Sequence, residues 1–191
     1  MLIGKGAEAF AREQGIAFED DAWFHTEYRW EQLQKARAKA KETADSAGAP
    51  DTWLSTVGAV ALDKDGNLAA ATSTGGMTNK RWGRVGDVPV IGAGTYADNE
   101  SCAVSATGHG EYFIRATVAR DICARVQYTG ASLQQAADEV VMQKLVKMGG
   151  GGGIISLDPQ GHVSLTFNTP GMYRASIDRD GRVYVGIYND E

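Results

Sequence analysis

Three short segments rich in threonine and glycine hold the residues best suited to chemistry in this sequence. The first segment, 55–58, contains Thr56, and the second, 72–76, contains Thr74. The third, 106–111, contains Thr107 and Gly108. A threonine hydroxyl is a weak nucleophile unless a base lies beside it. A free α-amine, with a reference pKa of about 7.7 to 8, can be that base near neutral pH. Each threonine taken alone could equally belong to a strand or a turn.

A fourth segment, GRVGD, lies between the second and the third and contains Arg84 and Asp87. One fixed cation and one fixed anion can bind the α-carboxylate and the α-ammonium of an amino acid. Arginine suits the first role because its planar fork holds a carboxylate bidentately. The two residues lie close enough in sequence for one short loop to present both to one pocket. The alternative is an exposed ion pair, which would contribute little to stability.

The first two segments lie on a predicted β-hairpin. Apolar runs at residues 56–62 and 68–73 are joined by a five-residue loop that contains Gly66. This pattern predicts two antiparallel strands. Because the apolar residues do not alternate with polar ones, we expect both faces of the hairpin to be covered.

The remaining elements predict a layered α/β fold. Helices are predicted at residues 7–14, 26–44, 110–127 and 132–148, the last with Ser132 as its N-cap. Further strands are predicted at residues 90–96, 101–107, 154–158, 162–167 and 182–188, with a turn at 178–181. Strand pairs on either side of two adjacent helices predict packed sheets with helices outside, rather than a doubly wound sheet.

Composition limits the kinds of partner. The chain has 191 residues, 43% of them hydrophobic, and a formal net charge of −5. This length predicts one domain. No apolar run approaches the roughly 18 residues of a membrane span, and no cluster of Lys or Arg favours nucleic acid, so neither partner is predicted. The start of the chain has no signal-peptide pattern. Two cysteines are too few for a disulfide framework, which predicts reduced thiols in a cytoplasmic protein.

Metal and phosphate sites are not predicted. The three histidines and two cysteines lack the spacing of metal ligands, so the sequence implies no metal and no cofactor. Residues 149–153 are five consecutive glycines. No GKS or GKT motif follows them and they lead into a strand, so they predict a flexible helix end and turn rather than a phosphate cradle.

Taken in this order, the segments resemble the plant-type L-asparaginase/isoaspartyl peptidase family of N-terminal-nucleophile threonine hydrolases. The matching stretches are TVGAVALD, ATSTGG, GRVGD, GAG-x-YA and TGHGE. The similarity runs continuously from Thr56 to about Tyr188 and extends more weakly over residues 1–55. It implies an αββα sandwich, made as an inactive precursor that cuts itself before the nucleophile.

The resemblance also implies the catalytic residues. Thr56 matches the nucleophile and Thr74 the threonine that orients it. Thr107 and the backbone N–H of Gly108 match the oxyanion hole. Attack by the Thr56 hydroxyl on the side-chain amide of asparagine or a β-aspartyl peptide would give a covalent ester, and water would then release L-aspartate.

Four residues match the family's substrate pocket. Arg84 and Asp87 correspond to the pair that holds the substrate's α-carboxylate and α-ammonium, and Gly108 and Gly110 to residues of the same pocket. His109 lies beside them and is expected to line the pocket without a catalytic part.

Two departures from the family shape the expected domain organisation. Family members carry a longer segment ahead of the equivalent of Ile3, so we expect the sandwich to be incomplete at its amino-terminal end. Residues 1–55 would be the remnant of the α subunit, with an exposed linker at 45–55, and residues 56–191 the β subunit.

The residue before the nucleophile is usually Gly, whereas Ser55 stands here. A residue with a Cβ resists strained backbone conformations, which favours slow cleavage at Ser55–Thr56.

Two functions remain open from sequence. The first is an autoprocessing hydrolase of L-asparagine and β-aspartyl dipeptides, which the resemblance pairs into a homodimer of processed heterodimers. The alternative is a truncated, non-catalytic family member that at most binds aspartate-like ligands. Glycosylasparaginase ranks below both, because it prefers an Asp-Thr junction and a secreted, disulfide-bearing chain. The preference between asparagine and isoaspartyl peptides also stays open.

Overall fold

The computed structural model describes residues 1–42 and 56–190. These residues fall into two compact units, one containing residues 1–42 and 78–82 and the other containing 56–77 and 83–190. Ser55 and the linker predicted at 45–55 lie outside the described residues. The division into α and β subunits at Ser55–Thr56 therefore stays a prediction.

The first unit is helical. It contains α1 (Gly4–Glu13), a 3-10 turn (Asp21–Phe24) and α2 (Glu27–Glu42), which confirms the two helices predicted there. α2 is built largely from Ala, Lys, Arg, Glu and Gln, which are good helix formers. Its described side chains are mostly exposed, as expected of a solvated outer helix. No helix within the described ranges is long and apolar enough to cross a membrane.

The second unit begins with the predicted hairpin. Strands β1 (Thr56–Leu62) and β2 (Leu68–Thr74) pair antiparallel along their whole length. The loop is closed by the Asp63 carboxylate, which accepts hydrogen bonds from the backbone N–H groups of Asp65 and Asn67 at 2.9 and 2.8 Å. A local side-chain acceptor of this kind fixes a turn without help from the rest of the fold.

A four-stranded antiparallel sheet follows, in the order β3-β4-β5-β6. Its strands are β3 (Thr95–Ala97), β4 (Ala103–Gly108), β5 (Gly152–Leu157) and β6 (Val163–Ser164). The strand predicted at 90–96 is wrong for residues 90–94. These residues form turns instead, in which the Val90 N–H donates to the Asp87 carbonyl at 2.9 Å and the Ala93 N–H to the Val90 carbonyl at 3.0 Å.

A second hairpin ends the described chain. It consists of β7 (Arg174–Ile177), which the sequence did not predict, and β8 (Val183–Gly186). The predicted turn between them is confirmed, because the Gly181 N–H donates to the Asp178 carbonyl at 3.0 Å.

The helices of the second unit are α3 (Gly110–Ala116), α4 (Val118–Thr129), α5 (Leu133–Asp138) and α6 (Val146–Met148). The single helix predicted at 110–127 is interrupted at Thr117, which adopts a left-handed conformation with φ of 48°. A π-helical stretch, Glu139–Leu145, joins α5 to α6. The predicted N-cap is confirmed, since Ser132 Oγ accepts from the Gln135 N–H at 3.2 Å.

The second unit has three layers: the first hairpin, the four-stranded sheet and the helices. Val104 and Ala106 point from β4 into a core shared with the helices, together with fully buried Phe113 and Ile122. Ser105 points to the opposite face, where its Oγ lies 2.7 Å from Thr72 Oγ1 of the hairpin. This arrangement confirms the layered α/β class and supplies three layers of the expected αββα sandwich.

Two sequence predictions fail in this unit. The outer face of the hairpin is exposed, with Val57 68% accessible, so the expectation that both faces are covered is wrong. The prediction of two reduced thiols is also wrong, because Cys102 and Cys123 form a disulfide with their Cα atoms 5.2 Å apart. The cause is tertiary: the start of β4 packs on α4, and a count of cysteines carries no information about that contact.

Candidate active site

The proposed nucleophile and its orienting threonine lie directly opposite each other on the hairpin. Thr56 pairs with Thr74 in the β1–β2 register, and the Thr56 hydroxyl donates to Thr74 Oγ1 at 3.3 Å. Thr74 Oγ1 also accepts from the Gly76 N–H at 3.0 Å, which limits the directions available to its lone pairs. The structure therefore brings together the two threonines that the sequence paired.

Thr107 and Gly108 lie at the same end of the unit as this pair. The Leu68 N–H, at the start of β2, donates to Asn99 Oδ1 in the β3–β4 connection at 2.7 Å. Thr72, further along β2, contacts Ser105, so β2 and β4 run in the same direction. Strand alternation then puts Thr107 on the same sheet face as Ser105, toward the hairpin.

Close backbone packing holds Gly108 in place. Its φ is 157°, and a Cβ there would lie 2.4 Å from Phe113 Cε2 and 2.6 Å from the Gly151 carbonyl oxygen. Gly152, its partner in β5, faces the same restriction, since a Cβ would lie 2.3 Å from the Thr107 carbonyl oxygen. Both positions therefore require glycine.

The glycine run at 149–153 is only partly the predicted turn. Gly149 ends α6 with φ of 82°, as expected of a C-cap, but Gly152 and Gly153 belong to β5. They allow that strand to approach the Thr107–Gly108 segment. The prediction of a flexible turn is thus wrong for the last two glycines.

Asn168 was given no role from the sequence. Its side-chain oxygen accepts from the Gly152 N–H at 2.8 Å. Its amide group donates to the carbonyls of Val141 and Gly150, both at 3.0 Å. Asn168 therefore ties the glycine run to the helix layer, a contact that no sequence pattern indicates.

Arg84 and Asp87 converge on Gly110. A Cβ on Gly110 would lie 2.7 Å from Asp87 Oδ1 and 3.2 Å from Arg84 Nη2. A side chain at position 110 would fill the space that the two charged groups share. Three of the four residues that the resemblance assigned to the substrate pocket are thus neighbours.

Asp87 is buried with an unmet hydrogen-bonding capacity. It is 5% exposed, and its Oδ2 has no hydrogen-bond partner among the described residues. Burial raises the pKa of the Asp87 carboxyl, opposed by a hydrogen bond to its own backbone and by the charge of Arg84. A buried acceptor without a partner is costly.

Arg84 is held by a residue to which the sequence gave no role. The Arg84 Nε donates to Glu111 Oε1 at 2.6 Å. This hydrogen bond raises the pKa of Arg84 and lowers that of Glu111. Glu111 was visible as the last residue of the TGHGE segment, but its contact lies 27 positions away in sequence.

Thr72 links the hairpin to the pocket loop. Its hydroxyl contacts the Gly94 carbonyl at 3.3 Å, and the same carbonyl accepts from the Ala106 N–H at 2.9 Å. Gly94 in turn lies against Asp87, whose Oδ2 would be 2.9 Å from a Cβ at that position. One chain of contacts therefore joins the hairpin that carries Thr56 to the loop that carries Asp87.

His109 lies beside the glycine run. Its Nδ1 accepts from the Gly151 N–H at 3.3 Å, and its backbone N–H donates to the Gly151 carbonyl at 2.9 Å. These contacts give the ring a structural role next to Gly108. The part of the chain that the structure describes contains no group of three or more side chains suited to hold a metal ion.

Comparisons with known proteins identify the family to which the chain belongs. The chain belongs to the asparaginase family, whose profile matches residues 1–187. It is 53% identical over 194 residues to the isoaspartyl peptidase of Escherichia coli, covering 100% of the chain and 60% of that protein. It is 40% identical over 194 residues to the isoaspartyl peptidase/L-asparaginase of Xenopus laevis, again covering 100% and 60%. The chain thus spans about 60% of the length of these curated relatives.

Proposed function

We propose that this chain carries the nucleophile of an autoprocessing threonine hydrolase that releases L-aspartate from L-asparagine and β-aspartyl dipeptides. The observation that carries the proposal is the Thr56–Thr74 hydroxyl pair, at 3.3 Å, on the end of the hairpin that faces Thr107 and Gly108. The names of the relatives, isoaspartyl peptidase and L-asparaginase, support the same reaction class.

Processing comes first in this proposal. The Thr56 hydroxyl attacks the Ser55 carbonyl carbon, and the peptide C–N bond breaks to leave an ester and a free α-amine on Thr56. Water then hydrolyses the ester, which gives residues 1–55 a carboxyl terminus and regenerates the hydroxyl. The free amine is the base that the threonine hydroxyl requires.

Turnover uses the same hydroxyl. The Thr56 amine takes its proton as the oxygen attacks the side-chain carbonyl of the substrate, and the resulting oxyanion accepts hydrogen bonds from Thr107 and the Gly108 N–H. Each such donor contributes about 3 kcal/mol to transition-state stabilisation. The proton passes to the leaving amine, which departs as ammonia or as an amino acid. Water then opens the β-aspartyl ester on Thr56.

The amino-acid head group supplies orientation. Arg84 binds the α-carboxylate, and Asp87 binds the α-ammonium through Oδ1, the oxygen that converges with Arg84 on Gly110. Because asparagine and β-aspartyl dipeptides share this head group, one pocket serves both substrates.

A non-catalytic, aspartate-binding function is the second candidate. Ser55 in place of the usual Gly favours it, since slow or absent cleavage would leave the Thr56 amine within a peptide bond. The pocket of Arg84, Asp87 and Gly110 does not depend on that cleavage.

Intact-mass measurement separates the two candidates. The hydrolase predicts that the purified 191-residue chain is cut between Ser55 and Thr56 into pieces of 55 and 191 − 55 = 136 residues. A single uncut mass after days of incubation, combined with aspartate binding but no aspartate release, would establish the binding protein instead.

Assembly and location are further proposals. A homodimer of processed heterodimers, acting on small molecules, is the assembly that the resemblance implies, and sedimentation of the processed protein would test it. Cytoplasmic location stays a prediction, and the cysteine count no longer supports it because both cysteines form a disulfide.

A further inference from the structure

One edge of the Arg84 guanidinium is already hydrogen-bonded. The Arg84 Nε donates to Glu111 Oε1 at 2.6 Å. Nη1 and Nη2, which form its end, have no hydrogen-bond partner among the described residues. Nη2 is the atom that faces Gly110, where Asp87 Oδ1 also converges.

We propose that Glu111 is a positioning residue for substrate binding: by holding Arg84 Nε, its carboxylate aims the end of the guanidinium at the α-carboxylate of the ligand. The inference rests on the proposed role of Arg84 in binding that group. The arginine side chain has many rotamers, and a fork fixed in advance loses less conformational entropy when a ligand binds.

The geometry argues against Glu111 as a competitor of the substrate. A competing carboxylate would occupy the end of the fork, between Nη1 and Nη2, because that is where a bound α-carboxylate would be held by both nitrogens. Glu111 instead occupies Nε and leaves the end open. Its side chain is 58% exposed while that of Arg84 is 21% exposed, so the acidic residue lies at the rim.

Glu111→Gln tests the proposal because it removes the charge and keeps the shape. We expect the Kd of the full chain for L-aspartate, measured by calorimetry, to rise about fivefold, the usual difference between a charged and a neutral hydrogen bond. KM for a β-aspartyl dipeptide should rise by the same factor with kcat within about twofold, since the interaction is equal in ground and transition states.

A double-mutant cycle isolates the contact. In an Arg84→Lys background, which lacks Nε, Glu111→Gln should change the Kd by less than about twofold. Glu100→Gln is the matched control, because it makes the same charge change in the β3–β4 connection, at the opposite end of β4 from Gly108. That variant should bind aspartate like the parent.

Three results would overturn the proposal. An unchanged or tighter Kd in Glu111→Gln would make the residue inert or a competitor. Equal effects of Glu111→Gln in the two backgrounds would place its action elsewhere. A lower Tm and kcat with unchanged KM would reduce it to a structural residue of α3. If the parent binds aspartate but releases none, the proposed hydrolase fails while the Kd comparison still decides the role of Glu111.

Discussion

The proposed function needs the Asp87 carboxylate in its charged form, whereas the burial of this side chain disfavours the charge. Burial raises its pKa, Arg84 lowers it, and Glu111 adds a smaller raising effect. The sequence predicted that Arg84 and Asp87 act together, because they lie on one short loop. It could not reveal Glu111 or Asn168, whose partners are distant in sequence and are brought near only by tertiary packing.

Acid should weaken substrate binding through Asp87. Below its raised pKa the carboxyl is protonated and no longer attracts an α-ammonium, so KM should increase as pH falls through that value. Asp87→Asn should have a higher KM at neutral pH without this acid-dependent rise. Steady-state kinetics across pH checks both expectations, and an Asp87→Asn enzyme that retains the parental KM profile would contradict them.

At the scale of elements, the first hairpin is positioned by a glycine that the sequence did not single out. A Cβ on Gly58 would lie 2.0 Å from Ser105 Oγ and 2.9 Å from Ser105 Cβ. The long strands and the Ser132 cap were predictable because their signals are local. Local signals did not predict the break at Thr117, the strand β7 or the turns at residues 90–94. Contacts between layers decide these three features.

Gly58→Ala should separate the hairpin from the sheet. Forcing a methyl group into this contact should cost about 1 to 3 kcal/mol of unfolding free energy, measured by denaturant titration. Gly75→Ala is the control, because a Cβ there meets nothing within 4 Å. Equal stability of the two variants would show that the hairpin does not pack on Ser105 as described.

Asn168→Ala should act on catalysis from a distance. It removes two hydrogen bonds to the glycine run, which pairs with the Thr107–Gly108 segment, and one to the Val141 carbonyl of the helix layer. We expect kcat to fall at least tenfold with a smaller change in KM, because the oxyanion donors would shift while Arg84 and Asp87 stay in place. A variant that loses aspartate binding but retains kcat would contradict this division between the two halves of the site.

At the scale of the whole molecule, the hairpin, sheet and helix layers bring four sequence segments to one end of the second unit. The layered class was predictable from the order of strands and helices. The buried disulfide and the exposed outer face of the hairpin were not, since they depend on which elements meet in space. In the proposed hydrolase, activity depends on cleavage at the junction before Thr56, where Ser55 stands.

Aspartate release by Thr56→Ala tests the central claim most directly. The parent, once cut, should release L-aspartate from a β-aspartyl dipeptide, and the alanine variant should remain uncut and release none. Calorimetry on the variant provides the control, because an intact pocket should still bind aspartate. Release of aspartate by the variant at the parental rate would show that Thr56 is not the nucleophile.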